Sequence, residues 1–272
     1  MELTANSKEK RGATRIAKSL RLTSRGMVAG VCVAGCLIEY CAYAVLRWLD
    51  AGRRAGVLQK WSARLLNGIN LKIAVQGQLP REGLIASNHL SYLDILVFSA
   101  VCGCVFISKR EVKSWPAVGW ISSLAGTIYI DRTRRAETHA VQPEIQSALS
   151  SGLRLVLFPE GTSSDGSRVL HFHSSLFQPA LDLNAPVTAA AIDYSLPDGD
   201  AAREACYWGN MSLLPHLLNL LTKESVQVTV SFSQEHLHFS DRKQAARTMQ
   251  LQVERLREMK PGSMRHAPVL ES

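Results

Sequence analysis

The sequence predicts an α/β protein, in which a mixed, largely parallel sheet is flanked by helices and preceded by a membrane-associated helical segment. From about residue 71 onward, short apolar runs alternate with longer helical patterns, which is typical of a sheet covered by helices. The run at 153–158 is continuously apolar, as expected for a strand buried on both faces. A long apolar stretch precedes this alternation near the amino terminus.

The first 26 residues form a basic segment, and the twenty that follow contain one charged side chain, Glu39. Twenty helical residues span about 30 Å, the thickness of the hydrocarbon core of a bilayer, so we expect residues 27–70 to be a membrane-associated helical region. Spanning and re-entrant attachment both stay open, because the far side of the run is also basic and Glu39 is costly in lipid unless protonated or paired. A buried core helix is the alternative. A signal peptide is disfavoured, since no clear small-residue cleavage site follows.

The remaining elements follow in order. Residues 51–73 form an amphipathic connector, whose helical pattern ends near Asn67. Strands are expected at 84–87, 105–108, 127–131, 153–158, 186–192 and 226–232. Helices are expected at 91–101, 115–125, before 150, at 213–221 and at 244–259. Together these elements make an α/β domain at 71–260, followed by a flexible tail at 261–272.

The composition argues against several classes of protein. The formal charge of +8 suits an anionic partner, but nucleic-acid binding would rest on charge alone, and we expect none. The six cysteines contain no C-x-x-C pair and no disulfide framework, so we expect them to be reduced. The G-x-S-x-G motif common in serine hydrolases is absent from the sequence.

A first polar block follows the predicted strand at 84–87. Ser91 with Asp94 resembles a helix capping box, and on that account Asp94 is structural while His89 lies in a loop. A histidine before the cap and a carboxylate in the first helical turn can also meet across the helix start. Asp94 would then hold one imidazole nitrogen and leave the other free as a base. The local pattern leaves both interpretations open.

A second polar block, Pro159-Glu160-Gly161-Thr162-Ser163, follows the predicted strand at 153–158. Gly161 lets the backbone approach a ligand closely, and the hydroxyl groups of Thr162 and Ser163 can donate hydrogen bonds. Glu160 could accept a hydrogen bond from a hydroxyl group of a ligand. By itself, this block is more simply interpreted as a surface turn.

Together the two blocks, N-H-x-S-x-x-D and then F-P-E-G-T about seventy residues later, resemble the glycerolipid acyltransferase family. The 1-acyl-sn-glycerol-3-phosphate acyltransferases and the bacterial lyso-ornithine lipid acyltransferases are branches of it. Further blocks look like the family's other motifs in the same order, at Lys109 with Trp115-Pro116, at 126–132 and at 185–187.

The resemblance implies that His89 is the general base that deprotonates a lysolipid hydroxyl, and that Asp94 orients it and stabilises its charge. The residues expected to bind the acceptor are Arg132, Glu160, Gly161 and Thr162. The hydroxyl would attack the thioester of acyl-CoA or acyl-carrier protein, which serves as co-substrate, with no cofactor, metal or covalent enzyme intermediate. The resemblance also implies an enzyme on the cytoplasmic face of a membrane, the inner or plasma membrane in a bacterium.

The expected acceptor is 1-acylglycerol-3-phosphate, which would give phosphatidic acid in membrane lipid biosynthesis. However, Ser163 stands where the third motif of the family often has arginine, so a guanidinium for bidentate phosphate binding is missing there. A lyso-ornithine lipid or another lysophospholipid is therefore an alternative acceptor. A non-catalytic membrane or lipid-binding protein is an alternative of another class. The blocks at 207–211 and 214–216 resemble a subfamily feature whose role the sequence does not reveal.

Overall fold

The computed structural model describes residues 2–110, 113, 122–123, 126–130 and 141–259, with side chains from residue 15 onward except at 109 and 130. The predicted helix at 115–125 falls largely outside these residues, and the predicted tail at 261–272 falls entirely outside them.

The helices are α1 Glu2–Val45, α2 Ala51–Gly68, α3 Leu93–Val101, α4 Gln142–Ser150, α5 Gln178–Asp182, α6 Ala201–Glu204, α7 Leu213–Thr222 and α8 Arg242–Glu258, with a 3-10 helix at Ser174–Phe177. The strands are β1 Leu71–Gln76, β2 Leu84–Ser87, β3 Cys104–Lys109, β4 Ile128–Ile130, β5 Arg154–Leu157, β6 Val187–Ser195 and β7 Val226–Phe232.

Within the described residues the strands form one seven-stranded sheet in the order β1-β7-β6-β2-β5-β3-β4. Only the pair of β6 and β7 is antiparallel, which confirms the predicted mixed, largely parallel sheet. Side chains of β5 alternate between two cores: Leu155 and Leu157 pack into one, and Val156 packs into the other. The apolar run at 153–158 is therefore a strand covered on both faces, because helices lie on each side of the sheet.

Two local predictions were wrong. The connector at 51–73 contains the strand β1, which begins three residues after α2 ends, with Asn70 in a left-handed conformation (φ 59°) between them. β1 is an edge strand, and four of its six residues are apolar. These residues follow α2 so closely that the sequence pattern shows no break between the helix and the strand. The helix predicted from Ser91 begins at Leu93, because the backbone of Ser91 bonds to the carboxylate of Asp94.

The basic amino-terminal segment and the apolar run that follows lie in one continuous helix, α1. Its part Arg15–Val45 is long and apolar enough to cross a membrane, by length and composition. α1 packs along α2 so closely that a Cβ on Gly35 would lie 2.1 Å from the Trp61 ring. Glu39 is paired with Lys60 and accepts a hydrogen bond from Trp61 Nε1 at 2.8 Å, so the charge in the apolar run has partners on α2.

Candidate active site

Three neighbouring parallel strands bring the candidate site together. β2 lies at the centre of the sheet between β6 and β5, and all three run in the same direction. The block at 88–94 follows β2, and the block at 159–163 follows β5. Carboxyl ends of adjacent parallel strands meet at one edge of a sheet, so the two sequence blocks become neighbours in space.

Asn88 fixes the backbone where the first block leaves the sheet. Its side-chain amide donates to the carbonyl oxygen of Ile192 and accepts from the Ile192 N–H, both at 2.9 Å. This paired contact ties the residue that follows β2 to β6. His89 therefore begins its loop next to a residue that is anchored to the neighbouring strand.

Asp94 is fully buried, and its carboxylate accepts four hydrogen bonds. Oδ2 lies 2.8 Å from His89 Nδ1, 2.7 Å from the Leu90 nitrogen and 3.1 Å from the Ser91 nitrogen. Oδ1 accepts from the hydroxyl of Tyr194 at 2.7 Å. An ionised carboxylate can only accept hydrogen bonds, so the Nδ1 atom of His89 must carry the proton. The Nε2 atom then keeps a free lone pair, on a side chain that is 21% exposed.

The sequence left two interpretations of Asp94 open, helix capping and orientation of His89. The structure contains the contacts that each of them requires of Asp94. Its carboxylate binds the backbone N–H of Ser91 at the start of α3, as the acidic residue of a capping box does. The reciprocal half of the box is missing, because the buried Ser91 Oγ has no hydrogen-bond partner among the described residues. Backbone amides thus hold still the carboxylate that orients His89. The catalytic role of the pair stays a prediction.

Two aromatic residues complete the surroundings of the pair. The His89 ring stacks on Phe158 with ring centroids 4.3 Å apart and an interplanar angle of 16°. Burial and the nearby Asp94 charge raise the pKa of Tyr194 well above its usual range, so its hydroxyl keeps the proton that it donates. Sequence reasoning did not identify Tyr194, which lies on β6, one hundred residues after Asp94. No local pattern signals such a contact.

The second block lies directly beside His89, since the Ser164 N–H donates to the His89 carbonyl oxygen at 3.0 Å. Gly161 has a φ of 69°, a left-handed conformation that a glycine adopts without strain. Thr162 is exposed next to it. The two predicted binding residues Gly161 and Thr162 therefore adjoin the His89 loop.

Glu160 corrects the interpretation of this block as a surface turn, because its side chain is 3% exposed. Its Oε1 atom accepts from the Leu170 N–H at 3.2 Å, and its Oε2 atom has no hydrogen-bond partner among the described residues. Burial raises the pKa of Glu160 to about 7. The carboxyl group can therefore exist in either protonation state near neutral pH.

Arg132 lies outside the described residues, so its predicted role in binding stays a prediction. Within the described part of the chain, no group of three or more His, Cys, Asp and Glu side chains could hold a metal ion. Chemically, the site offers an oriented imidazole with a free Nε2 atom beside a buried, half-satisfied carboxyl group. Such an arrangement can take a proton from a hydroxyl group bound between the two blocks.

A family model described as Acyltransferase matches residues 71–193. A lyso-ornithine lipid O-acyltransferase of Rhizobium meliloti (strain 1021) is 33% identical over 225 residues, which cover 77% of this chain and 77% of the relative. One of Brucella abortus (strain 2308) is 38% identical and covers 72% of this chain and 82% of its own. A 1-acyl-sn-glycerol-3-phosphate acyltransferase of Neisseria gonorrhoeae is 34% identical over 56% of this chain and 60% of its own.

A solved structure has a similar fold. It is the 1-acyl-sn-glycerophosphate acyltransferase of Thermotoga maritima, which superposes with a TM-score of 0.62 over 93% of this chain and all of that chain. At 20% identity the likeness concerns the fold.

Proposed function

Since the chain belongs to the acyltransferase family, we propose that it transfers a fatty acyl group from a thioester to the free hydroxyl of a lyso-ornithine lipid. The observation that carries the reaction type is the bond of 2.8 Å between His89 Nδ1 and the buried Asp94 carboxylate. It leaves His89 Nε2 as the base beside the block that contains Glu160. A non-catalytic lipid-binding protein would have no need for a histidine held in this one tautomer.

The geometry supports a direct transfer. His89 Nε2 takes the proton of the acceptor hydroxyl as the oxygen attacks the thioester carbonyl carbon. The imidazolium that forms is stabilised by Asp94, whose other three donors keep the carboxylate in place. When the tetrahedral intermediate collapses, the carbon–sulfur bond breaks and the leaving thiolate takes the proton from His89. The ester product and a free thiol result, and His89 returns to its starting state.

Two observations favour a lyso-ornithine lipid as the acceptor. The two lyso-ornithine lipid enzymes cover more of this chain than the Neisseria relative does. In addition, the hydroxyl of Ser163, at the position where the family often has arginine, donates to the carbonyl oxygen of Tyr207. That position therefore serves an internal contact and brings no positive charge to a phosphate monoester. The second candidate acceptor is 1-acylglycerol-3-phosphate, which the Neisseria relative and the predicted role of Arg132 favour.

We also propose that α1 lies in the plane of the cytoplasmic membrane surface. Six of the exposed large apolar residues among its described side chains share one face, whereas exposed Val33 lies off it. The six are Ile16, Leu20, Met27, Val31, Ile38 and Val45. This face is about 44 Å long, which exceeds the hydrocarbon thickness of about 30 Å. α2 packs beside the apolar half of α1 and exposes Arg53, Lys60 and Arg64. A spanning α1 would carry the exposed Arg64 into the bilayer core, at a cost of roughly 3 kcal/mol.

The reaction is tested with purified protein in detergent micelles, with labelled acyl-CoA and acyl-carrier protein as donors. Lyso-ornithine lipid, 1-acylglycerol-3-phosphate and lysophosphatidylethanolamine are offered as acceptors. We expect the highest kcat/KM with lyso-ornithine lipid, by at least about tenfold. A higher value with 1-acylglycerol-3-phosphate would replace the proposed acceptor by the second candidate. No turnover with any lysolipid would refute the proposed function.

The membrane arrangement is tested with cysteine-reactive reagents on inverted and right-side-out vesicles. A single cysteine placed at residue 2 and one placed near residue 240 should react from the same, cytoplasmic side. Labelling from opposite sides would show that α1 crosses the membrane.

A further inference from the structure

Helix α7 presents an outer face that is apolar and uncharged. Its ten residues contain no Asp, Glu, Lys or Arg, and Leu213, Leu214 and Leu218 are 37%, 65% and 42% exposed. Trp208, just before the helix, is 38% exposed, with its indole N–H donating to the Ala202 carbonyl oxygen. A helix on a water-facing surface normally turns charged or polar side chains outward. This face therefore suits an apolar environment.

The carboxyl end of α7 is joined to the membrane-associated helix α1. Arg21 donates to the carbonyl oxygen of Thr222. Arg25 is buried and donates to the carbonyl oxygens of Leu221, Lys223 and Glu224. Positive side chains bind well at this end of a helix, because its last carbonyl groups are unpaired and carry partial negative charge. Arg21 and Arg25 thus join α7 to the helix that carries the exposed Leu20, although they lie on a different side of α1 from it.

The inner face of α7 reaches the block that contains His89. His216 is buried, and its Nε2 atom donates to the carbonyl oxygen of Cys206 at 3.0 Å. That bond leaves Nδ1 as an acceptor for the hydroxyl of Tyr92, at 3.2 Å. Tyr92 lies between His89 and Asp94 in the chain. The next residue after Cys206, Tyr207, donates its N–H to the Leu90 carbonyl oxygen at 2.8 Å.

We propose that α7 and Trp208 form a second membrane-contact surface, which inserts into the lipid headgroup region and brings the acceptor to the His89 loop. Lipid is the occupant, because α7 is bonded to the membrane-associated helix α1, its outer face carries no charge, and Trp208 is a residue of the kind enriched at membrane interfaces. The blocks at 207–211 and 214–216, whose role the sequence did not reveal, would then serve membrane contact. The identity of the delivered lipid rests on the proposed function. The membrane contact itself does not depend on that function.

The contact can be measured without turnover by quenching of tryptophan fluorescence. Trp48, Trp61, Trp115 and Trp120 are changed to Phe in the full-length protein, which leaves Trp208 as the single fluorophore. The protein is mixed with phosphatidylethanolamine and phosphatidylglycerol vesicles whose acyl chains are brominated. We expect the emission to fall at least about twofold relative to unbrominated vesicles. An unchanged emission from vesicle-bound protein would overturn the proposal.

Replacing Trp61 could disturb the packing of α1 on α2. A second measurement therefore leaves all five tryptophans in place. Leu214→Asp is compared with Leu251→Asp, since Leu251 is also exposed, by 48%, but lies on α8. We expect Leu214→Asp to weaken partitioning onto the same vesicles about tenfold and to lower turnover more in vesicles than in micelles. Leu251→Asp should change neither. Equal partitioning of the two variants would overturn the proposal.

If no lysolipid is turned over while Trp208 is quenched, the proposed function fails and the membrane contact stands.

Discussion

The loop around His89 and the packed pair of α1 and α2 each hold a carboxylate in place, in different ways. Asp94 is fully buried, and its partners are two backbone amides, an imidazole and a phenol from separate elements. Glu39 is partly exposed, and its partners are the charged Lys60 and the indole of Trp61 on one neighbouring helix.

The difference shows what each arrangement is suited to do. A carboxylate held by neutral donors keeps its negative charge uncompensated, so it stabilises a proton that arrives on His89. A carboxylate paired with a lysine has its charge already neutralised, which makes an apolar helix tolerate it. The first arrangement favours chemistry, and the second favours packing.

Removing the base should have the largest effect. We expect His89→Ala to lower kcat by about a thousandfold or more, because no other group in contact with Asp94 can accept the hydroxyl proton. The rate is measured with saturating donor and acceptor, and thermal unfolding checks the fold. His238→Ala is the control, since His238 is exposed and its only hydrogen-bond partner among the described residues is Asn184. A residual rate above one tenth would mean that His89 is not the base.

Asp94→Asn should come next, with a loss of about a hundredfold to a thousandfold in kcat. The amide oxygen should take the place of Oδ2, because the N–H groups of Leu90 and Ser91 donate there, and His89 Nδ1 can still donate to it. The neutral side chain cannot stabilise the imidazolium, however. Steady-state kinetics at several pH values measure the loss. A fall in kcat of less than about threefold would show that the charge of Asp94 does not support catalysis.

Tyr194→Phe should lower kcat by about tenfold and the free energy of unfolding by about 1–3 kcal/mol, because one buried Asp94 oxygen loses its donor. Tyr40→Phe is a matched control: Tyr40 is also buried, and its hydroxyl donates to the Arg54 carbonyl oxygen, away from the site. The control should lose stability but retain kcat within about twofold. Equal kcat values for the two variants would exclude a specific role for Tyr194.

Glu160→Gln tests the buried carboxyl group through the pH dependence of stability. The pKa of Glu160 is about 7 in the folded protein, against 4.5 normally. The folded state therefore binds the proton more tightly, and the protein loses stability as the pH rises from about 4.5 to 7. The variant should be more stable than the parent at pH 8, by about 1–3 kcal/mol, and no more stable at pH 4.

Urea unfolding at both pH values measures this difference, with the exposed Glu82→Gln as control. A variant whose advantage does not grow between pH 4 and pH 8 would show that Glu160 is not held in an unfavourable charged state.

The smallest effect is expected for Glu39→Gln. Both partners of the Glu39–Lys60 pair are partly exposed, so the variant should lose at most about 1 kcal/mol of stability. Its kcat in micelles should stay within about twofold of the parent. A loss close to that of Asp94→Asn would contradict the distinction between the two carboxylates.

The amino-acid sequence by itself determined what depends on short distances along the chain. The alternation of strand-like and helix-like apolar segments was sufficient to predict the fold class. The spacing of apolar residues that distinguishes a strand from a helix can be read within a few neighbouring residues. His89 and Asp94 are five residues apart, so a helix start alone can bring them together. The long apolar part of α1 could likewise be predicted from the composition of that stretch.

Only the tertiary structure decided the contacts between distant segments. Tyr194 reaches Asp94 across one hundred residues, and Lys60 reaches Glu39 from another helix. The burial of Glu160, the strand β1 and the attachment of α7 to α1 were equally hidden. These features depend on strand order and helix packing, which are set by the summed burial of many side chains. No single stretch of sequence contains that information, and this is why the reaction could be predicted before the surroundings that support it.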